Sequence, residues 1–246
     1  MSTRILALGS LLPSFHCLTY LCERVDDCQV VGFVPHQTPP RLRYEQDSAR
    51  YAEDRGIPIL TMADLPTLDF DLGLSLMFDR PLPGTVVEKP PLGFVNLHLG
   101  PLPRLRGSNS VLHAIRLAPV DNIWTFGITM HYMVEAVDQG PIIDTIEVPI
   151  FRDDTAQSLH ARAMGEVFPL FERNIQTLVS TAGRVPSVAQ DGPSYFFRKG
   201  DVDHEVDLSG DPTTVMAQIR ALSFPGRPRP YIVIGGMRIY LTLNES

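Results

Sequence analysis

Cysteine is scarce in this chain of 246 residues: Cys17, Cys22 and Cys28 are all there are, set as C-x4-C-x5-C in one early segment. With no second pair to complete a zinc cage, they are expected to be reduced, structural thiols of a cytoplasmic protein. Basic charge is short too. Lys and Arg number 21 against 28 Asp and Glu, a net charge of −7, so nothing draws the chain to phosphate backbones and general nucleic-acid binding is disfavoured. No run approaches the roughly eighteen apolar residues of a membrane span. The opening run Ile5-Leu6-Ala7-Leu8, broken at Gly9-Ser10, is too short for a secretory core. The histidines lack metal-ligand spacing such as H-E-x-x-H, which leaves no bound metal and no hydrolytic metalloenzyme to expect. A G-x-G-x-x-G fingerprint is missing as well; the first apolar run is followed by Gly9-Ser10-Leu11-Leu12-Pro13, and NAD binding loses its main support.

What is present is ordinary for a folded domain: 44% hydrophobic and 20% charged residues, which excludes disorder as the main state. Apolar runs of strand length recur at 4–9, 29–34, 57–60, 70–76 and 93–97. Helix-compatible stretches at 14–25 and 44–55 lie among them, the second closed by Gly56. Strand and helix in alternation predict an α/β sheet, parallel or mixed. Two further strands are expected at 125–132 and 142–150. A long amphipathic helix over 155–179 follows, carrying Leu159, Ala163, Val167, Leu170 and Leu178 and interrupted near Pro169. Beyond it the chain is rich in turns, with a helix expected at 212–222 and a hairpin at 231–243 around Gly235-Gly236. The expected division is a catalytic domain over 1–184 and a small β-rich subdomain over 185–246. From Thr181 onward, seven basic residues meet seven acidic ones, a neutral tail where a tRNA grip would be basic.

The chemistry concentrates in the stretch from Phe94 to Gly107. In a strand, Asn96 and His98 point to the same face, at the end where open α/β sheets place their ligand crevice. An amide can donate to a developing oxyanion, and an imidazole moves protons near neutral pH. Downstream, Asp138 falls on a loop bounded by Gly140-Pro141. From there a carboxylate can orient and polarise His98, or take a proton through water, without a nucleophilic Ser or Cys. The three residues together suit acyl transfer.

In this order the motifs resemble the folate-dependent formyltransferase family: Asn96-Leu97-His98, Gly100-Pro101-Leu102-Pro103, Arg106-Gly107, Gly127-Ile128-Thr129-Met130-His131 and Val137-Asp138-Gln139-Gly140-Pro141-Ile142-Ile143. The match is tight over 75–150 and loose on either side. It departs from the family at Gly100-Pro101, where Ser-Leu is usual. The resemblance implies a Rossmann-like formyltransferase domain using 10-formyltetrahydrofolate, with Asn96, His98 and Asp138 catalytic. It implies that Arg80 and Leu82, in Asp79-Arg80-Pro81-Leu82-Pro83, lie beside the pterin with Val137 and Asp138. Gly9 and Ser10 stand where relatives bind a substrate phosphate, and Arg104, with Arg198, is a candidate cation for a diphosphate. The tail, with Tyr195-Phe196-Phe197-Arg198, is similar to that of sugar N-formyltransferases, which act on nucleotide-linked amino sugars of surface glycans such as the O-antigen of lipopolysaccharide. The implied acceptor is therefore a nucleotide-linked amino sugar, dTDP-linked by the same resemblance. Another amine, such as methionyl-tRNA or an amino-acid derivative, and a non-catalytic folate-binding module are the alternatives. No nucleic-acid or membrane partner is expected, and a homodimer is left open.

Overall fold

The computed structural model describes residues 2–9, 12–36, 48–78 and 80–243. Along the chain these form β1 (Thr3–Gly9), α1 (Leu12–Arg24), β2 (Cys28–Val34), α2 (Ser48–Asp54), β3 (Leu72–Leu76), α3 (Gly84–Val87), β4 (Phe94–His98), β5 (Leu105–Gly107) and α4 (Ser110–Asp121). They continue as β6 (Thr125–Tyr132), β7 (Ile142–Pro149), α5 (Ala156–Gly165), α6 (Val167–Ser180), β8 (Tyr195–Phe197), α7 (Pro212–Ala221), β9 (Tyr231–Ile234) and β10 (Met237–Tyr240). The chain divides into two compact units that interleave in sequence. One comprises Met1–His98, Ile128–Ile146 and Gly165–Asp191, and the other Leu99–Gly127, Glu147–Met164 and Gly192–Ser246.

The first unit is built on a six-stranded sheet in the order β2-β1-β3-β4-β6-β7. Pairing is parallel from β2 to β4 and turns antiparallel between β4 and β6, so the sheet is mixed. Strands β1 and β3 are almost wholly buried, which explains their continuous apolar sequences. On one face Leu6 and Leu8 of β1 pack with Val34, Phe70, Leu82, Val86, Val87 and Phe94. The rings of Phe70 and Phe94 meet edge to face, 6.2 Å apart. Helix α1 buries Cys17, Leu18 and Leu21. Burial pushes the Cys17 thiol well up and that of Cys28 to about 11, so neither is a ready thiolate.

Two expectations need correction, and one helix was not expected. The run 57–60 is no strand: Ile59 makes one isolated bridge to Phe33, and Pro58, lacking an N–H, cannot extend a ladder. The long helix is two helices, broken at Glu166 rather than at Pro169. Proline has settled into the first turn of α6, where a missing N–H removes no helical bond. Helix α4 was not foreseen, although Val111, Ala114, Ile115 and Ala118 carry the helical spacing and are buried; Pro119 in its last turn masks the pattern.

In the second unit β5 and β8 pair in parallel, and Phe197 stacks on His113 with centroids 3.4 Å apart and planes within 5°. Helix α7 is capped by Asp211, whose carboxylate accepts the Thr214 N–H at 3.1 Å. The β9–β10 hairpin turns through Gly235 and Gly236, both at positive φ, as a two-residue primed turn requires.

His113 makes stability depend on pH. The residue is 2% exposed. Burial, aided by Arg116 and opposed by Asp201, pushes its imidazole from 6.5 down to about 4. Between about 6.5 and about 4 the unfolded chain therefore binds a proton that the folded chain refuses, and stability falls as pH drops through that window. His160, lowered by burial and Arg227, acts in the same direction. The variant His113→Gln should lose less stability than the native chain across this range in denaturant titrations; parallel losses in the two proteins would contradict the assignment.

Candidate active site

The site is set by the register of one strand pair. Strand β4 lies at the centre of the sheet, and its antiparallel partner β6 places His131 opposite Asn96 and Thr129 opposite His98. Side chains two residues apart on a strand share a face, so Asn96, His98, Thr129 and His131 project together. Asn96 Nδ2 lies 3.1 Å from His131 Nε2, and His131 Nδ1 lies 2.8 Å from the Tyr132 carbonyl oxygen. A carbonyl only accepts, so Nδ1 carries the proton and Nε2 accepts from the Asn96 amide. The carboxamide is thereby held in one orientation.

Asp138 completes the group. Its Oδ2 is 3.5 Å from His98 Nδ1 and its Oδ1 is 3.6 Å from His131 Nε2, so one carboxylate faces two imidazoles. The side chains of His98 and Asp138 are only 9% and 11% exposed, which strengthens charge interactions between them relative to water. Asp138 sits at φ +54, a left-handed conformation that Asp tolerates better than most residues. The loop folds back closely on β6. A Cβ at Gly140 would run into the Tyr132 carbonyl oxygen, so only glycine fits there.

The other expected residues are more dispersed. Leu82 is buried in the core cluster, leaving its main chain as the part that can meet a ligand. The Arg80 guanidinium lies over Phe78 at 5.2 Å, and its buried Nε has no hydrogen-bond partner among the described residues. Val137 is exposed beside Asp138. Gly9 ends β1 so close to the Leu76 carbonyl that a side chain would collide with it; Ser10 lies outside the described residues. Arg104 belongs to the second unit, where it pairs with Asp121 at 2.7 Å.

Two residues with a part in this geometry carried no assigned role in the sequence. His131 was quoted only within a motif, although its position two residues after Thr129 marks it for the same face. Gln190 had no signal at all, yet its Nε2 donates to the carbonyl oxygens of Asp138 at 2.8 Å and Gly140 at 2.7 Å.

A family model described as formyl transferase matches residues 24–167, more than half of the chain. The methionyl-tRNA formyltransferase of Paracoccus denitrificans is 29% identical over 206 residues, 78% of this chain and 65% of that protein. The chain thus spans just under two thirds of that relative. An N-formyltransferase from Helicobacter canadensis, solved with folinic acid and dTDP-3-aminofucose, superposes with a TM-score of 0.78 at 23% identity, covering 97% of this chain and 86% of its own. A 4-N formyltransferase from Francisella tularensis gives a TM-score of 0.80 at 18% identity, with coverage of 99% and 98%. At such identities the two structures establish likeness of fold.

The close approach at Gly140 generates a test. Gly140→Ala should displace the loop that bears Asp138, costing about 1–3 kcal/mol as overpacked sites do and lowering turnover with it. Calorimetric melting and a rate assay on the same preparation check this; an alanine variant matching the native protein in both would contradict it.

Proposed function

The chain belongs to the formyl transferase family, and we propose that it moves a formyl group from 10-formyltetrahydrofolate to the primary amine of a nucleotide-linked amino sugar. The observation that carries this reading is the convergence of Asn96, His98 and Asp138, with the Asn96 amide pinned by His131. The folate, when bound, supplies an activated formyl carbon. The residues fit such a guest: two donors on one strand face suit a carbonyl oxygen, and Arg80 offers a buried N–H beside the segment expected to hold the pterin.

The chain's own groups then divide the work. As the acceptor amine attacks, the formyl oxygen takes on negative charge, and the second Asn96 N–H donates to it. Protonated His98 supplies the other donor. At 3.5 Å the Asp138 carboxylate stabilises positive charge on that ring by direct attraction. Asp138 also takes up the proton that the amine must lose and passes it, through water, toward the departing folate nitrogen. One proton leaves the amine and one reaches the leaving group, so the exchange balances.

Charge and likeness both bear on the acceptor. The Helicobacter canadensis protein was solved with an amino sugar on dTDP, which supports a dTDP-linked substrate here. Gripping tRNA requires neutralising several phosphates, against which stand the net charge of −7 and the neutral tail. A diphosphate needs far less, one helix N-terminus and one or two arginines. The second reading, methionyl-tRNA, is favoured by the sequence relatives, which are methionyl-tRNA formyltransferases. Retention of all three reactive residues speaks against a non-catalytic folate-binding module. Among the described residues no helix is long and apolar enough to cross a membrane.

A competition assay with labelled 10-formyltetrahydrofolate, dTDP-3-aminofucose and methionyl-tRNA separates the two readings. Label is expected in the sugar fraction, and Asn96→Ala should slow its appearance by about 10²–10³ without loss of folding. Label in the tRNA alone would reverse the order of the readings, and an unimpaired Asn96→Ala enzyme would remove Asn96 from the mechanism.

A further inference from the structure

Asp138 lies on a loop whose residues from Val134 to Val137 are exposed, yet its carboxylate is held 3.5 Å from His98 Nδ1. The segment that follows α6 supplies the restraint. The Val185 N–H donates to the Tyr132 hydroxyl at 2.7 Å, and the Arg184 guanidinium covers the Tyr132 ring at 5.2 Å. Val188 and Ile142 then exchange reciprocal backbone hydrogen bonds of 2.7 and 2.8 Å, an antiparallel bridge. In that register each step forward from Val188 faces a step back from Ile142, which brings Gln190 opposite Gly140. There the backbone pairing gives way to the side chain. The two hydrogens of Gln190 Nε2 meet two carbonyls, those of Asp138 and Gly140, on either side of Gln139.

We infer that Gln190 is a positioning residue for the transfer reaction, acting through Asp138; the inference rests on the role given to Asp138 above. Fixing the Asp138 carbonyl fixes its peptide plane, and with φ held at +54 the direction of its side chain follows. Distances of 3.5 and 3.6 Å to His98 and His131 leave little slack. A displacement of about 1 Å at a reacting group can cost on the order of 10² in rate. The chemistry of the contact also explains why glutamine is required: both partners are acceptors, so a carboxylate of the same shape would repel them and a thioether would leave them unpaired.

The test compares Gln190→Met, which keeps bulk without donors, and Gln190→Glu, which keeps shape but offers only acceptors, with Asp138→Asn. Melting first establishes that each folds. With protein carrying ¹⁵N-labelled histidine at one fixed pH, the His98 ring-nitrogen signals should move in Asp138→Asn and move in the same direction in both Gln190 variants. With 10-formyltetrahydrofolate and dTDP-3-aminofucose, kcat should fall about 10–100-fold in the Gln190 variants, as for other residues that orient a reactive group, while KM for the sugar stays unchanged. His98 signals that remain native in folded Gln190 variants while shifting in Asp138→Asn would overturn the inference. Signals unmoved even in Asp138→Asn would overturn it too, through the pairing it rests on. A native enzyme inactive toward this sugar would count against the acceptor alone, and the ring-nitrogen signals would still decide the role of Gln190.

Discussion

The antiparallel pairing of β6 with β4 is the constraint on which the site depends. It sets His131 across from Asn96 and Thr129 across from His98. Because side chains alternate along a strand, a slip of one residue would turn His131 away from Asn96. The register is protected by burial: Phe126, Ile128 and Met130 of β6 are fully buried. A slip would put polar side chains where these apolar ones now pack. The same hydrophobic pattern that stabilises the sheet therefore aims the amide and the imidazoles.

From this frame the loop that bears Asp138 is held by steric and hydrogen-bonding restraints of different kinds. Gly140 allows the chain to return against Tyr132, the strap after α6 clips the loop to Ile142 and Tyr132, and His131 fixes the Asn96 amide through a tautomer dictated by a backbone carbonyl. Two of these restraints bear on the loop that carries Asp138 and the third on the Asn96 amide. Such division keeps a polar cluster oriented before any substrate arrives, which is the condition for stabilising charge at low reorganisation cost.

Sequence carried the local part of this arrangement and little of the long-range part. Asn96 and His98 were legible because period-two alternation needs only two neighbouring positions. Asp138 was legible because a Gly-Pro boundary marks a turn. The β9–β10 hairpin could be read from Gly235-Gly236 for the same reason. Gln190 could not be, since its partners lie 50 and 52 positions away and nothing in its own surroundings is periodic. Residues 57–60 misled because an apolar run looks alike whether or not a ladder can form, and Pro58 decides that it cannot. Pro169 misled in the opposite sense, since a proline near a break is tolerated in a helix's first turn. Leu82, placed by resemblance on a loop whose main chain would meet the pterin, turns its side chain into the core.

If His98 and Asp138 act as one charge-coupled unit in formyl transfer, as proposed, a double-mutant cycle on the transfer rate shows it most directly. His98→Asn, Asp138→Asn and the double variant would be assayed with 10-formyltetrahydrofolate and dTDP-3-aminofucose. Groups that act as a unit give strongly non-additive losses, so the double variant should be no slower than the slower single variant. Losses that multiply, each substitution reducing the rate by the same factor whether or not the other is present, would show that the two residues act independently and rule out a coupled unit.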